Sequence, residues 1–404
     1  MAKKSRTYDV IIAGGGPAGC SAAIHLALRR ARVLLAEQKK FPRPKLCGEF
    51  ISPECITQFE RLGVSDRMLA SSPSPIIETV FYSQAGASVS VPSGWFRKGG
   101  VALGLSRAEM DERLLRRAAE AGVDVREETS VTSLNFENDR VAGVTLKTHN
   151  SEELVGAPIT IDATGRSRML ARMTEKSGGV RSQQRELVAF KAHLRNTGVA
   201  NSACEIYFYH GGYGGLSSIE NGLSNLCFIV NARDVRGCQS NPDRVVREIV
   251  CRNQRASNTL VEAALDSDWL AVSLEGFGRH SPTPVKGLLT IGDAASFIDP
   301  FTGSGMLMAF ESGELVANTI APQLSELENH LMLRQLSEQY RAAYERQFNS
   351  RLRLCSLIRR AAFAPGVADF AIRLFGASDT VRRRVARATR SQPKRNFSSA
   401  QEFK

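Results

Sequence analysis

Three glycines near the amino terminus have the spacing of a phosphate-binding turn. Gly14, Gly16 and Gly19 follow a short apolar stretch, TYDVIIA, and lead into CSAAIHLALRR, which has a helical composition. In such a turn the first glycine permits the tight bend and the second lets the backbone approach a pyrophosphate. The third lets helix and strand pack closely. The helix N-terminus then presents free N–H groups and the positive end of its dipole to the phosphates.

A proline and an acidic residue complete this first motif. Pro17 falls in the first helical turn, where a missing N–H costs nothing, and Ala18 follows it. Glu37 stands 23 residues after Gly14, at the end of the next strand-like stretch, 32–36. A carboxylate in that place can accept hydrogen bonds from a ribose diol, so the pattern predicts a dinucleotide-binding βαβ unit.

A second motif lies nearly 280 residues further along the chain. The strand-like residues 288–291 run into Gly292 and Asp293, and a helix is predicted to open at Gly303, Ser304 and Gly305. An Asp at a strand end beside small residues can meet a ribityl hydroxyl, and a helix N-terminus can stabilise negative charge on a reduced flavin ring. The pair of motifs is much more specific for a flavin dinucleotide than either motif alone.

The elements that must position these motifs alternate along the chain. Residues 106–121 have an amphipathic helical pattern, residues 130–147 predict a hairpin, and residues 157–162 predict another strand. Residues 76–103 and 186–232 instead carry alternating strand-like runs with Gly-rich turns. They predict a second, antiparallel sheet made from two insertions.

Composition excludes several classes of protein. The chain has 404 residues, of which 43% are hydrophobic and 23% charged, as in ordinary globular proteins. No apolar run is long enough to span a bilayer, and no apolar segment follows the basic amino terminus as a secretory signal requires. The eight cysteines are scattered without a Cys-x-x-Cys pair. We therefore expect a cytoplasmic protein without a metal site.

The net charge of +12 is concentrated at the C-terminal end. Residues 341–404 hold 15 Lys or Arg against 4 Asp or Glu, whereas the preceding residues hold 38 against 37. In residues 351–376, apolar side chains recur at helical spacing beside arginines. This pattern indicates either an interfacial helix on anionic lipid, peripheral to the membrane, or a helix packed on the nucleotide-binding domain with a solvated tail. Nucleic-acid binding is not predicted, because no basic domain or aromatic interleaving accompanies the tail.

The motifs occur in an order that resembles the geranylgeranyl reductase family, within the larger group of FAD-dependent aromatic hydroxylases and halogenase-like oxidoreductases. The resemblance is carried by GGGPAG (14–19), PRPKLCGE (42–49), SRAEMDERL (106–114), DATGRS (162–167) and GDAASFIDPFTGSG (292–305). It implies an α/β fold with a Rossmann-like FAD-binding domain of the glutathione reductase or aromatic hydroxylase type, an inserted antiparallel β-sheet substrate domain and a helical C-terminus. The expected boundaries are 1–75, 104–185 and 276–325 for the FAD-binding domain, 76–103 and 186–275 for the substrate-binding domain, and 326–404 for the helical basic region.

The resemblance also implies roles for residues of the nucleotide site. The glycines of the first motif would hold the pyrophosphate of FAD and Glu37 the adenosine ribose. Arg107, at the start of its helix, would contact the flavin or its phosphates. Asp293 would bind the ribityl chain, and Gly303–Gly305 would border the pyrimidine end of the ring. NADPH or NADH would bind transiently over the flavin as the reductant.

A further segment, Cys47, Gly48 and Glu49, would lie close to the isoalloxazine ring. Cys47 would then either influence flavin reactivity or simply pack, as buried cysteines commonly do. On the substrate side, Tyr207 and Tyr209 share one face of a predicted strand by alternation, and Tyr213 follows nearby. The tyrosines either line a pocket over the flavin or pack into the core.

Two departures from related sequences bear on the substrate. Relatives that reduce polyprenyl chains carry a Tyr-x-Trp-x-Phe-Pro motif, of which this chain keeps only Tyr213. Flavin-dependent halogenases need a Trp-x-Trp-x-Ile-Pro segment and a lysine. That segment is absent here, and no lysine lies between Lys45 and Lys98, so halogenation is not predicted.

The leading prediction is an FAD-dependent, NAD(P)H-linked oxidoreductase acting on a hydrophobic small molecule of prenyl, quinone-like or polyketide-derived structure. One alternative is an FAD-dependent monooxygenase that hydroxylates an aromatic or polyketide substrate. A second is a non-catalytic prenyl or lipid carrier, against which both flavin motifs argue.

Overall fold

The computed structural model describes residues 8–175, 187–274, 277–298, 303–362 and 367–390. Residues 299–302 of the second motif and 391–404 of the basic end lie outside the described residues.

The strands are β1 (Val10–Ala13), β2 (Val33–Ala36), β3 (Phe50–Ile51), β4 (Ser74–Ile76), β5 (Glu78–Tyr82), β6 (Ser88–Pro92), β7 (Ala102–Gly104), β8 (Asp124–Arg126), β9 (Ser130–Glu137), β10 (Arg140–Lys147), β11 (Glu152–Gly156), β12 (Ile159–Asp162), β13 (Leu187–Arg195), β14 (Ala203–Tyr209), β15 (Gly212–Ser218), β16 (Ser224–Asn231), β17 (Ala264–Leu265), β18 (Leu270–Leu274), β19 (Gly278–Arg279), β20 (Leu288–Thr290) and β21 (Ser296–Phe297). The helices are α1 (Pro17–Ala27), α2 (Pro53–Leu62), α3 (Ser65–Leu69), α4 (Arg107–Glu120), α5 (Met169–Thr174), α6 (Ala232–Gly237), α7 (Pro242–Glu248), α8 (Gln254–Thr259), α9 (Gly305–Ile320), α10 (His330–Ala362), α11 (Val367–Gly376) and α12 (Asp379–Ala388).

The predicted nucleotide-binding unit is a five-stranded parallel sheet with the order β20–β12–β1–β2–β8. Its central strands are apolar throughout because both faces are covered. Val10 and Ile12 pack in the core that includes α1, α4 and α9, while Ile11 and Ala13 pack against the layer formed by β9–β11. The carboxyl ends of β1, β2 and β20 therefore carry the first motif, Glu37 and the second motif along one edge of the sheet.

The second sheet forms from both insertions, as the alternating patterns predict. It has eight strands in the order β17–β13–β16–β15–β14–β5–β6, with β18 also paired to β13. One pair departs from the antiparallel prediction, because β5 and β14 run parallel. These strands come from different insertions, so no hairpin turn fixes their relative direction.

The two faces of this second sheet have different surroundings. On one face, Phe190, Phe228 and neighbouring side chains pack in a core that includes residues of α6, α7 and α8. On the other face, Phe208 and Ile229 belong to a separate apolar cluster that includes Ile372 of α11. This second face turns towards the cavity described below.

The C-terminal end is helical in the described residues, as predicted. Helix α10 packs along α9, and the buried Tyr340 hydroxyl donates a hydrogen bond to the Thr290 carbonyl of β20 at 2.9 Å. Helices α11 and α12 reach instead to β6 of the second sheet. Within the described part of the chain, no helix is both long and apolar enough to cross a membrane.

Candidate functional site

The first glycine motif forms a tight turn between β1 and α1. Gly14 has a φ of +109°, and a Cβ on Gly19 would lie 1.9 Å from the Gly14 carbonyl oxygen, so both positions require glycine. A Cβ on Gly16, by contrast, would meet only the Arg107 guanidinium, at 3.8 Å. The backbone at Gly16 is thus open to a ligand at the N-terminus of α1, as pyrophosphate binding requires.

Glu37 is fixed at the end of β2 by two backbone groups. Its Oε2 accepts a hydrogen bond from the Gly15 N–H and its Oε1 accepts one from the Lys39 N–H, each at 2.9 Å. Arg43 lies 3.5 Å from the same carboxylate. The Glu37 side chain lines the cavity described below, as a ribose-binding carboxylate must.

The second motif lies at the neighbouring strand end. The Gly292 N–H donates to the Ser312 hydroxyl of α9 at 2.9 Å, which places the turn against that helix. Asp293 lines the cavity; burial raises the pKa of its carboxyl, while Arg166, Arg107 and Lys45 oppose that rise. Helix α9 begins just beyond Gly303 and the buried Ser304, so its N-terminus points to the same region as Asp293.

Arg107 bridges the two motifs from the start of α4. Its guanidinium forms a buried two-point ion pair with Asp111, with nitrogen–oxygen distances of 2.7 Å. Burial alone would lower the pKa of Arg107, but the charge of Asp111 and its hydrogen bonds raise that pKa above its ordinary value. Arg107 is therefore a permanently charged group beside Gly16.

The segment of Cys47, Gly48 and Glu49 lines the cavity opposite these motifs. Glu49 is 1% exposed, has a φ of +52°, and accepts a hydrogen bond from the Arg107 N–H at 2.8 Å. Its carboxylate also pairs with Lys191 and, at 2.7 Å, with His193 Nε2, both on β13. Burial would raise the pKa of Glu49, but His193 and Lys191 outweigh it and hold that pKa below its ordinary value.

Two further hydrogen bonds from the second sheet hold this segment. The Lys191 ammonium donates to the Lys45 carbonyl at 3.2 Å, and the Asn225 side-chain amide donates to the Cys47 carbonyl, also at 3.2 Å. Both donors come from the second sheet, from β13 and β16. The backbone around Cys47 is thus positioned by contacts with the second sheet.

One cavity of about 740 Å³ joins these elements, within the size range of cofactor and ligand pockets. Of the residues predicted to bind the dinucleotide, it is lined by Gly14, Gly16, Pro17, Ala18, Glu37, Arg107, Gly292, Asp293, Gly303 and Gly305. Gly19 and Ser304 lie behind this lining. Its far side is apolar and is formed by the second sheet.

Of the two alternatives left open for the tyrosines, Tyr207 and Tyr209 take the second and pack into the core. Tyr207 and Tyr209 share a face of β14, as alternation predicts, but that face packs in the core with Phe228. The Tyr207 hydroxyl donates to the buried Glu205 at 2.8 Å. The intervening Ile206 and Phe208 line the cavity instead, because neighbouring residues of a strand point to opposite faces. Tyr213, on β15, does line the cavity.

Sequence reasoning missed several charged residues of the site. Arg43, Lys45 and Arg166 line the cavity although only their surrounding motifs drew attention. Desolvation within the cavity lowers the pKa of the Lys45 ammonium, and the charges of Arg43, Arg107 and Arg166 lower it further. A signal for Lys191 and His193 did exist, because they are polar residues two apart in the otherwise apolar run LVAFKAHL.

These features together fit FAD. The open backbone at Gly16 and the positive charge of Arg107 suit a pyrophosphate, Glu37 suits a ribose, and Asp293 with the N-terminus of α9 suits the ribityl chain and the ring. The geometry thus defines a flavin dinucleotide-binding protein of the oxidoreductase type.

The comparisons with known proteins agree. Residues 7–346 match the family described as an FAD binding domain, and the chain belongs to that family. A digeranylgeranylglycerophospholipid reductase of Methanosarcina mazei is 26% identical over 323 residues, which cover 79% of this chain and 76% of the relative. Conditioned medium factor receptor 1 of Dictyostelium discoideum is 24% identical over 388 residues, which cover 87% and 71%.

Two solved structures share the fold. A flavin-dependent brominase superposes with a TM-score of 0.77 at 21% identity, covering 95% of this chain and 93% of that chain. A geranylgeranyl bacteriochlorophyll reductase-like protein from Thermoplasma acidophilum superposes with a TM-score of 0.75 at 21% identity, covering 92% of each chain. The predicted fold class and the resemblance to the geranylgeranyl reductase family are confirmed, and the chain is an FAD-dependent oxidoreductase.

Proposed function

We propose that this protein uses NAD(P)H to reduce a carbon–carbon double bond or a quinone-like group in an apolar small molecule. The observation that carries the proposal is the composition of the cavity. The dinucleotide motifs occupy one side, and the apolar side chains Phe81, Ile206, Phe208 and Leu274 of the second sheet occupy the other. An apolar compound bound against that sheet would lie beside the segment predicted to border the flavin ring.

The residues of the chain divide the work of such a reaction. FAD, when bound, would supply the chemistry of hydride transfer from NAD(P)H to the substrate, and a proton would complete the addition of two hydrogen atoms. Arg107, Lys45 and Arg166 concentrate positive charge that suits the phosphates of FAD and of the reductant. The apolar sheet face excludes water from the acceptor.

The names of the relatives bear on the substrate class. The matched archaeal proteins are named as reductases of a digeranylgeranyl glycerophospholipid. This chain shares their motif order but keeps only Tyr213 of the prenyl reductases' aromatic motif, so we propose an apolar acceptor that differs from a long polyprenyl chain.

Anaerobic reduction followed by the admission of air tests this function. The purified protein is mixed with NADPH or with NADH, and loss of the flavin absorbance is followed, with and without geraniol or a menaquinone. The proposal expects reduction, reoxidation by an unsaturated or quinone acceptor, and a product with two added hydrogen atoms by mass spectrometry. Fast reoxidation by air, with labelled oxygen recovered in an organic product, would instead establish a monooxygenase.

We also propose that the basic C-terminal helices contact an anionic membrane. Leu357, Leu374 and Val381 are each at least 46% exposed, and Arg373 and Arg384 are exposed beside them on α11 and α12. Exposed apolar side chains among arginines suit the boundary of an anionic bilayer. Cosedimentation with phosphatidylglycerol vesicles, but not with phosphatidylcholine vesicles, is expected. Replacing Leu374 and Arg384 together by Ala should abolish it, and equal sedimentation with both vesicles would contradict the proposal.

A further inference from the structure

One side of the cavity is built by residues that lie beyond the family match at 7–346. This side consists of the end of α10 together with α11 and α12, and we call it the end wall. Six of its lining residues carry no charge, namely Ile358, Ile372, Phe375, Val385, Ala386 and Thr389, and two are the arginines Arg382 and Arg390. The end wall therefore lies outside the segment that matches the FAD binding domain family.

The end wall closes the apolar part of the cavity. Ile372 is 4% exposed and packs in one cluster with Val89, Phe208 and Leu274 of the second sheet, and Phe375 packs against that cluster. These two side chains thus stand across the space between α11 and the sheet. An apolar chain lying along the sheet from the flavin motifs would end against them.

Three arginines of α12 and its C-terminal end hold the end wall to the rest of the protein. The Arg382 guanidinium lies 5.3 Å from the centre of the Trp95 ring, and Arg387 Nε donates to the Trp95 carbonyl at 2.9 Å. Arg390 is 8% exposed, lies 4.5 Å from the centre of the Phe96 ring, and donates to the Gly303 carbonyl at 2.8 Å. Gly303 belongs to the second flavin motif, so the end wall and the cofactor site share a direct contact.

We propose that the end wall sets the length of the apolar chain that the cavity accepts, with Ile372 and Phe375 as its specificity-determining residues. The inference rests on the proposed function, which puts an apolar compound against the second sheet. It adds that residues beyond the shared family segment select among such compounds. Arg387 acts as a positioning residue, because it holds α12 to the Trp95 carbonyl and does not line the cavity. Arg382 and Arg390 also line the cavity, so they face the bound compound as well as holding the end wall in place.

A binding series without turnover tests the end wall. Geraniol, farnesol and geranylgeraniol are titrated into the oxidised protein, and the dissociation constants are read from changes in the flavin absorbance. Phe375→Ala is expected to raise the ratio of the affinity for geranylgeraniol to the affinity for farnesol by at least about tenfold relative to the wild type, because part of the additional isoprene unit would be buried in the space that the ring leaves. Ile372→Val should shift the preference less, in the same direction.

The matched control is Phe136→Ala, which removes the same ring from a position on β9 that is 52% exposed. Its length preference should equal that of the wild type. Phe375→Leu retains a larger apolar side chain than Phe375→Ala and should change the preference for the longer alcohol less. It therefore tests the inference even if Phe375→Ala fails to fold. Circular dichroism establishes which variants fold.

The arginine contacts are tested by Arg382→Ala, with Arg334→Ala on the exposed side of α10 as its control. Loss of discrimination among the three alcohols in Arg382→Ala alone is expected. If Phe375→Ala and Phe375→Leu bind the series as Phe136→Ala does, the end wall does not select length, while the proposed function stands. If the wild type binds none of the alcohols, and neither they nor menaquinone accept electrons from the reduced protein, the proposed function and the end wall both fall.

Discussion

The buried carboxylate of Glu49 offers the sharpest test of how the segment of Cys47, Gly48 and Glu49 is held against the second sheet. Lys191→Met keeps a side chain of similar length but removes the ammonium that pairs with this carboxylate. Glu49 would then remain buried with only the Arg107 N–H and His193 Nε2 as partners. Breaking a buried ion pair on one side costs about 3–5 kcal/mol. Because two donors remain, we expect the free energy of unfolding to fall by about 3 kcal/mol, at the low end of that range.

The same strand supplies the control. Arg195, near the end of β13, pairs with Asp266 at 2.6 Å, but its side chain is 58% exposed. Exposed pairs contribute about 0–1 kcal/mol, so Arg195→Met should change the free energy of unfolding by no more than that. Urea unfolding followed by circular dichroism at about pH 8 compares the two variants with the wild type. Equal losses in both would refute the reasoning that burial makes the Glu49 pair important.

The pH dependence gives a second check with a defined sign. The pKa of Glu49 is lowered in the folded state, so its ionised form stabilises the fold above the unfolded pKa of about 4.5. That contribution is lost as the pH falls through the lower folded pKa. Lys191→Met raises the folded pKa, so Glu49 becomes neutral sooner as the pH falls. The stability difference between wild type and variant should therefore shrink from pH 8 towards pH 4, and a constant difference would contradict this account.

Three further predictions concern the cofactor and the acid stability. Gly19→Ala places a Cβ 1.9 Å from the Gly14 carbonyl and should yield protein without FAD by absorbance, whereas Gly94→Ala, whose Cβ meets nothing within 4 Å, should retain it. Glu37→Gln should weaken FAD binding about tenfold, or about 1.4 kcal/mol, measured by quenching of FAD fluorescence; unchanged binding would remove Glu37 from the ribose site. Burial, with Arg168 nearby, lowers the pKa of His280 to about 4. Between pH 6.5 and pH 4 the unfolded chain therefore binds more protons than the folded protein, and the free energy of unfolding falls as the pH is lowered through that range. Over the same range the urea midpoint of His280→Gln should decline less than that of the wild type, and an equal decline in both proteins would contradict the prediction.

The local parts of the site could be predicted because they are set by short-range sterics. Gly14 and Gly19 meet each other within one turn, and Glu37 follows from the length of a single helix and strand. The hydrophobic pattern likewise gave the parallel strands, since a strand covered on both faces must be apolar throughout. None of these inferences required knowledge of which distant elements meet.

The parts of the site that the sequence left open, or that were missed, depend on long-range packing. Alternation correctly placed Tyr207 and Tyr209 on one face of β14, but it carries no information on which face meets the cavity. That choice is made by α6–α8, which cover one face and leave Phe208 on the other. Similarly, Lys191 and Glu49 are far apart in sequence, and they pair only because the segment that contains Glu49 packs against β13 of the second sheet.

The basic C-terminal end shows why net charge alone does not assign a role. Its pattern indicated either an interfacial helix on anionic lipid or a helix packed on the nucleotide-binding domain with a solvated tail. In the described residues Arg382 and Arg390 lie over aromatic rings, and Arg387 and Arg390 donate hydrogen bonds to carbonyls. Arginine suits such contacts because the face of its planar guanidinium stacks on rings while its N–H groups donate hydrogen bonds in the plane of the group. One helix can therefore turn some arginines inward, to hold the end wall, and leave others such as Arg384 exposed. A single basic segment can thus both close the cavity and present charge outside it.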